Sequence, residues 1–265
     1  MKRWLGIGGA ALLTTCIALV AGTTFAQFRQ QNPSPLPPSP EAEFHMARLA
    51  YYSPGCAGSR GLCNSYWSID YPYAEAHFLP ALERLTRIDA ADDSAHIRLT
   101  DEEIFDYPFL FIQQPGINPW NPTDAEAAIL REYLLRGGFL VADDFHGERE
   151  WADFRYAISR VLPEFPIVDI AEGDLLLNII YDLDQRTQIP GERHVDRYGR
   201  GPPRMEGPPH WRAIYDGAGR MLVAINHNID MGDAWEHADD PGYPVEMTAL
   251  AYRFGVNYVI YAMTH

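Results

Sequence analysis

The alternation of short apolar runs with well-delimited helical segments constrains the fold most. Residues 109–112 and 139–142 are uninterrupted apolar runs, typical of strands covered on both faces of a sheet. Between them, Thr123 and Glu126 have the spacing of a capping box, and a double glycine at 137–138 marks a helix end. This alternation predicts an α/β fold with a mostly parallel sheet and helices on both faces.

Other segments continue the same rhythm. Thr100 and Glu103 repeat the capping-box spacing and predict a second helix start. A Gly/Pro/Arg-rich segment at 188–211 interrupts the alternation, and segments of this length are usually functional or mobile. We predict strands within 44–52, 95–99, 165–170 and 211–228, the last divided by a turn at 216–219, and helices at 71–88, 150–162 and 245–262.

The N-terminal segment has the layout of a secretory signal peptide. Two basic residues precede an apolar run over 4–22, and small residues at 24 and 26 form a cleavage site. We therefore expect residues 1–26 to be removed after Ala26, which places the protein in the periplasm or outside the cell. The alternative is an uncleaved N-terminal helix that anchors the protein, because the run approaches the length of a bilayer span.

The remainder divides into a linker and one domain. Residues 27–42 are polar and proline-rich, and we expect an extended linker there. Residues 43–265 are expected to form a single α/β domain with no membrane span after signal removal. Removal of the signal also leaves only Cys56 and Cys63, which we predict to form a disulfide in an oxidising compartment.

The charge excludes some partners. The formal net charge is −15, and it becomes −17 when Lys2 and Arg3 leave with the signal. Such a surface repels nucleic acids and anionic lipid headgroups. It is compatible with a cation, a neutral glycan or a basic envelope protein.

The stretch "GGFLVADDFHG" at 137–147 is the first candidate site. Ligands of open α/β sheets bind beyond the carboxyl ends of the strands, where Asp143 and Asp144 are expected. Adjacent carboxylates on an extended chain point to opposite sides, so one can face a ligand while the other caps a loop. Asp144, His146 and Glu148 could share a face and suit acid–base work or a divalent cation. The alternative is that both aspartates only cap the following turn.

A second candidate is the polar stretch 225–240, which also follows an apolar run. Asp230 and Asp233 could bind a hard cation through oxygen, and the stretch could complete a crevice with Asp144 and His146. The alternative is a solvated acidic loop. Candidate ligand-binding residues are Trp120, His227, Asn228 and Trp235, of which the two tryptophans could stack on a sugar ring.

Several stretches together resemble a bacterial family, domain of unknown function 4159. Their order along 44–265 carries the resemblance more than any one of them. They are "MARLAYY", "DYPFLFI" with Gly116, "LREYLLRGGFLVADD", "RMLVAINHN" with Gly232 and Trp235, and "RFGVNYVIYAMT". The resemblance implies a flavodoxin-like fold similar to class I glutamine amidotransferases.

The resemblance implies a fold and no reaction. Class I glutamine amidotransferases use a cysteine on a sharp strand–helix turn, whereas here Asp143 and Asp144 follow the strand and no thiol is present. We therefore favour a non-catalytic binding or assembly module that presents its loops to an envelope protein or glycan. The alternative is a hydrolase that uses Asp143, Asp144 and His146, with or without a divalent metal, on a glycan or other envelope substrate.

Overall fold

The computed structural model describes residues 42–52, 66–117, 120–184, 186–195 and 207–265. The predicted signal peptide 1–26, the predicted linker up to residue 41 and both cysteines, Cys56 and Cys63, lie outside the described residues. The described part forms a seven-stranded sheet.

The strands are β1 Met46–Leu49, β2 Ala95–Ile97, β3 Phe109–Gln113, β4 Phe139–Phe145, β5 Ile167–Asp169, β6 His210–Tyr215 and β7 Met221–His227. Their order across the sheet is β2-β1-β3-β4-β7-β6-β5, and the pairs from β2 to β7 are all parallel. The hairpin partner β6 runs antiparallel to β7 and to β5. The mostly parallel α/β sheet is therefore confirmed.

Helices cover both faces of the sheet, as the alternation predicts. They are α1 Tyr73–Thr86, α2 Asp124–Leu135, α3 Gly147–Val161, α4 Leu175–Asn178, α5 Met231–Glu236 and α6 Val245–Thr264. Alternate side chains of β3 enter two separate cores: Phe109 and Phe111 pack with α1, α5 and α6, and Leu110 and Ile112 pack with α2 and α3. Within the described residues, no helix is long and apolar enough to cross a membrane.

The two capping-box predictions have different outcomes. Thr123 accepts a hydrogen bond from the Glu126 N–H, and the Glu126 carboxylate accepts one in return from the Thr123 N–H, so the start of α2 is confirmed. The prediction at Thr100 is wrong, because a short 3-10 helix, Glu102–Asp106, begins after Asp101 without a side-chain cap. Pro108 and β3 follow so closely that a longer helix has no room there.

Candidate functional site

Three neighbouring strands end in strained backbone at the same edge of the sheet. Gln114 after β3, Asp144 near the end of β4 and Asn228 after β7 have φ angles of 51°, 54° and 60°. This left-handed region is unfavourable for residues other than glycine and costs on the order of 1–3 kcal/mol for each. Backbone bonds to neighbouring strands fix the turns, such as Asp144 N–H to Ile229 O at 3.1 Å. Strain of this kind concentrates at functional sites.

Asp143 anchors a helix. Its carboxylate accepts hydrogen bonds from the Asn226 side chain at 3.0 Å and from the N–H groups of Met231 and Gly232 at 2.7 and 3.2 Å. Burial first, and then the charge of Asp144, raise the pKa of Asp143 to about 7, although these hydrogen bonds oppose the shift. The side chain is fully buried, and its hydrogen bonds connect β4 to the start of α5. Its predicted catalytic role stays a prediction.

Asp144 and His146 form the buried pair at the centre of the site. His146 Nε2 lies 2.8 Å from Asp144 Oδ1, and the Gln114 amide donates to Asp144 Oδ2 at 2.6 Å. Nε2 donates to this carboxylate in the tautomer with the proton on Nε2, and the neutral form of that tautomer has a lone pair on Nδ1. That Nδ1 is buried and has no hydrogen-bond partner in the described structure. Glu148 does not join them, because it is exposed on α3.

Asp230 lies against this pair, and Asp233 lies beside Asp230. One ligand atom each of Asp144, His146 and Asp230 lie within 4.8 Å of one another. Asp230 caps α5 by accepting the Asp233 N–H at 2.9 Å with Oδ1. Asp233 Oδ2 accepts the Glu192 N–H at 2.6 Å. The two predicted segments therefore meet at one edge of the sheet.

Asp70 completes the acidic cluster from a segment that the sequence analysis did not single out. One oxygen of Asp70 lies within 4.8 Å of oxygens of Asp230 and Asp233. The Gln113 amide donates to Asp70 Oδ2 at 2.5 Å. No pattern around Asp70 indicates this role, because the residue reaches the site through the turn that precedes α1.

The carboxylates raise one another's pKa. The pKa of Asp70 is raised well above its usual range by burial and then by the charges of Asp233 and Asp144. The pKa of Asp230 is raised in the same way, by burial and then by Asp144 and Asp233. Arg48 opposes the shift at Asp70 but is itself paired with Glu75 at 2.5 Å. Buried charges of one sign are costly unless a cation compensates them.

The segment before residue 196 covers the cluster. A Cβ on Gly191 would lie 2.7 Å from Asp230 Oδ2, 3.2 Å from Asp233 Oδ2 and 3.3 Å from His194 Nδ1. Only a glycine therefore lets the backbone pass so close to these three atoms. The His194 ring lies 5.8 Å from the His146 ring, edge to face. Burial and then Arg193 lower the pKa of His194, so its imidazole is neutral at pH 7.

The other predicted ligand-binding residues lie in the core. Trp120 is stacked against Phe154 and Trp235 against Phe78, so neither ring offers a free face. His227 Nε2 lies 3.1 Å from the Gly147 carbonyl oxygen. The Asn228 amide oxygen accepts the Gly147 N–H at 2.8 Å, and its amide donates to Pro208. His227 and Asn228 thus hold the start of α3 and have no place in the acidic cluster.

Comparison with protein families identifies the family of the chain. A family model described as Domain of unknown function (DUF4159) matches residues 45–263. No curated protein matches the chain. The matched range contains every residue of the cluster described above.

Proposed function

The chain belongs to the DUF4159 family, and we propose that it is a hydrolase that uses a divalent metal ion held by Asp144, His146 and Asp230. The observation that carries the proposal is the buried convergence of these side chains, with ligand atoms within 4.8 Å of one another. The compartment, periplasmic or extracellular, follows from the N-terminal segment and is part of the proposal.

A cation resolves the electrostatic conflict at the site. Asp144 and Asp230 are almost fully buried, and one oxygen of Asp230 also lies within 4.8 Å of oxygens of Asp70 and Asp233. Without a cation, burial and mutual repulsion favour the protonated carboxyls, which is the cause of the raised pKa of Asp230. A divalent ion offsets the same charges and releases those protons.

Hydrogen bonds to one oxygen of each carboxylate fix the position of the other oxygen. Gln114 occupies Asp144 Oδ2 and leaves Oδ1 beside His146. The Asp233 N–H occupies Asp230 Oδ1, so Asp230 Oδ2 remains on the side of Gly191. Outer partners that fix one oxygen of a ligating carboxylate are typical of metal sites. Two carboxylates and one imidazole suit Mn²⁺, Fe²⁺ or Zn²⁺.

These residues can carry out hydrolysis once the ion is bound. A divalent ion held by Asp144, His146 and Asp230 would supply an activated water as the nucleophile near neutral pH. His194 is half-buried beside His146, and its lowered pKa favours the neutral imidazole, which is the form that can accept a proton. Strained strand ends and raised carboxyl pKa values favour this function over a non-catalytic module, which needs neither.

The test is metal content and affinity, measured by elemental analysis and calorimetry with MnCl₂ and ZnCl₂. Wild type is expected to bind at least one ion per chain, and the Asp144→Ala/His146→Ala double variant is expected to lose it. The matched control is Asp153→Ala/His265→Ala, which removes the same two groups from the protein surface. The metal-loaded wild-type protein is then assayed on chromogenic ester, phosphodiester and glycoside probes.

Either of two results would overturn the proposal. If wild type binds neither ion, the cluster is neutralised by protons and the binding-module hypothesis is preferred. If the metal-loaded protein turns over none of the probes while the double variant still binds metal, the assigned ligands are wrong. Circular dichroism of each variant shows whether a loss comes from unfolding.

A further inference from the structure

We propose that the same edge of the sheet holds a second divalent cation on oxygen atoms of Asp70, Asp230 and Asp233, with Asp230 bridging the two ions. This deepens the proposed function, since the first ion is the one held by Asp144 and His146. The second group of ligand atoms also lies within 4.8 Å, and Asp230 is the residue that both groups share. Paired ions in two-metal sites are about 3.5–4 Å apart, a distance that a shared carboxylate can span.

Gln113 is an independent indication of a ligand at this position. Its side chain is fully buried and its Nε2 contacts Asp70, yet its Oε1 has no hydrogen-bond partner. A buried amide oxygen without a partner is energetically unfavourable. Rotation of the side-chain amide by 180° would exchange Nε2 and Oε1. Oε1 would then face Asp70 and could serve as a neutral oxygen ligand of a cation.

Backbone clearance supports the same position. A Cβ on Gly232 would collide with Asp70 Oδ2 and with Gln113 Nε2. A Cβ on Gly191 would press against Asp230 Oδ2 and Asp233 Oδ2. Because both residues are glycines, the backbone at 191 and at 232 can pass close to these carboxylate oxygens without a steric clash.

The two positions differ in the ions they prefer. The second is made of oxygen atoms, which suit Mg²⁺, Ca²⁺ and Mn²⁺. The first includes the His146 imidazole, which suits transition metals. Mn²⁺ therefore fits both positions, whereas Mg²⁺ fits the second better than the first.

The test is a Mn²⁺ titration of the full chain followed by low-temperature electron paramagnetic resonance. Wild type is expected to bind two Mn²⁺ per chain and to give the spectrum of two magnetically coupled ions. Asp70→Asn is expected to keep one Mn²⁺ and to give the six-line spectrum of an isolated ion. Asp182→Asn, an exposed turn residue outside the cluster, is the matched control and is expected to behave as wild type.

A second measurement needs no variant. Excess Mg²⁺ added to the wild-type protein with two Mn²⁺ is expected to displace one of them and to abolish the coupling. The second position would be overturned, and the first left intact, if wild type bound only one Mn²⁺ per chain. In that case the Mn²⁺ stoichiometry would be the same in Asp70→Asn and would not change when Mg²⁺ is added. No Mn²⁺ at all would overturn the proposed function as well.

Discussion

Asp143 and Asp144 are adjacent residues with opposite surroundings. Asp143 gives its oxygens to Asn226 and to the first N–H groups of α5, whereas Asp144 turns to His146 and Gln114. Alternation along β4 points the two side chains to opposite sides, and the left-handed φ of 54° at Asp144 then turns the backbone out of the strand. The role of each carboxylate therefore depends on whether hydrogen-bond donors or other carboxylates surround it.

Removal of one charge from the cluster should stabilise the metal-free protein. Asparagine caps a helix as well as aspartate does, so Asp230→Asn keeps the bond to the Asp233 N–H while removing a buried charge. We expect its melting temperature without metal at pH 8 to rise by a few degrees, a gain of about 1 kcal/mol. The increase that Mn²⁺ gives to wild type should disappear. Thermal melts with chelator and with MnCl₂ measure both effects, and Asp182→Asn should show neither.

His96 predicts a separate sensitivity to acid. Its ring is fully buried between Trp67 and Tyr71, and neither nitrogen has a partner in the described structure. Burial first, and then Arg48, lower its pKa to about 4. Unfolding lets the ring take up a proton between about pH 6.5 and 4, so stability is present above this window and is lost as pH falls through it.

Replacement of the ring should remove that loss. We expect His96→Phe to shift the acid-unfolding midpoint to lower pH and to gain about 1–3 kcal/mol at pH 5, because it removes both a buried unpartnered polar group and the proton uptake on unfolding. The gain should be smaller at pH 8. Denaturant titrations at the two pH values measure it, and an equal or larger gain at pH 8 would contradict this explanation. His265→Phe, at the exposed end of α6, is the control.

At the scale of elements, two similar sequence patterns give different structures. Thr123 caps a helix of three turns, α2, whereas Thr100 is exposed and makes no side-chain hydrogen bond in the described structure. The neighbouring Asp101 carboxylate instead accepts the Arg98 N–H at 2.8 Å. The space between β2 and β3 leaves room for only a short 3-10 helix.

This difference predicts unequal effects of one substitution. Thr123→Ala removes a reciprocal pair of cap bonds and should destabilise the fold by about 1 kcal/mol. Thr100→Ala should change the free energy of unfolding by less than about 0.5 kcal/mol, as expected for an exposed position. Urea titrations of the two variants give the comparison. Equal losses would mean that Thr100 also caps a helix in solution.

At the scale of the whole molecule, the site depends on the complete sheet. Asp143 bonds to Met231, which is 88 positions away in sequence, and the ligands of the proposed ions come from β4, α5 and the turn before α1. Such residues are brought together only in the folded state. Metal binding should therefore stabilise the folded chain as a unit.

Mn²⁺ should accordingly raise the global free energy of unfolding. An ion that binds only the folded state adds about 2.7 kcal/mol at a free concentration 100 times its dissociation constant. We expect the melting temperature to rise with the logarithm of Mn²⁺ concentration while the transition stays single and cooperative. Differential scanning calorimetry over a Mn²⁺ series measures this. A metal-independent transition, with bound Mn²⁺ confirmed, would place the ion outside the fold.

Local patterns were sufficient for the fold. The apolar runs 109–112 and 139–142, the Thr123 cap and the glycine pair at 137–138 specify buried strands and a helix between them, because hydrophobic burial and capping act over a few residues. The polar ends of β4 and β7 were also visible as the stretches around Asp144 and Asp230. Their meeting at one edge follows from strand direction alone.

Sequence patterns were therefore enough to predict the α/β class, the mostly parallel sheet and the two stretches that contain Asp144, His146, Asp230 and Asp233. The folded structure was needed to separate the surroundings of Asp143 from those of Asp144, to place Trp120 and Trp235 in the core, and to bring Asp70 and Gln113 to the cluster. The difference lies in the distance along the chain over which each interaction acts. Caps and strand patterns depend on neighbours in sequence, whereas burial, shared hydrogen bonds and carboxylate repulsion depend on residues that are distant in the chain.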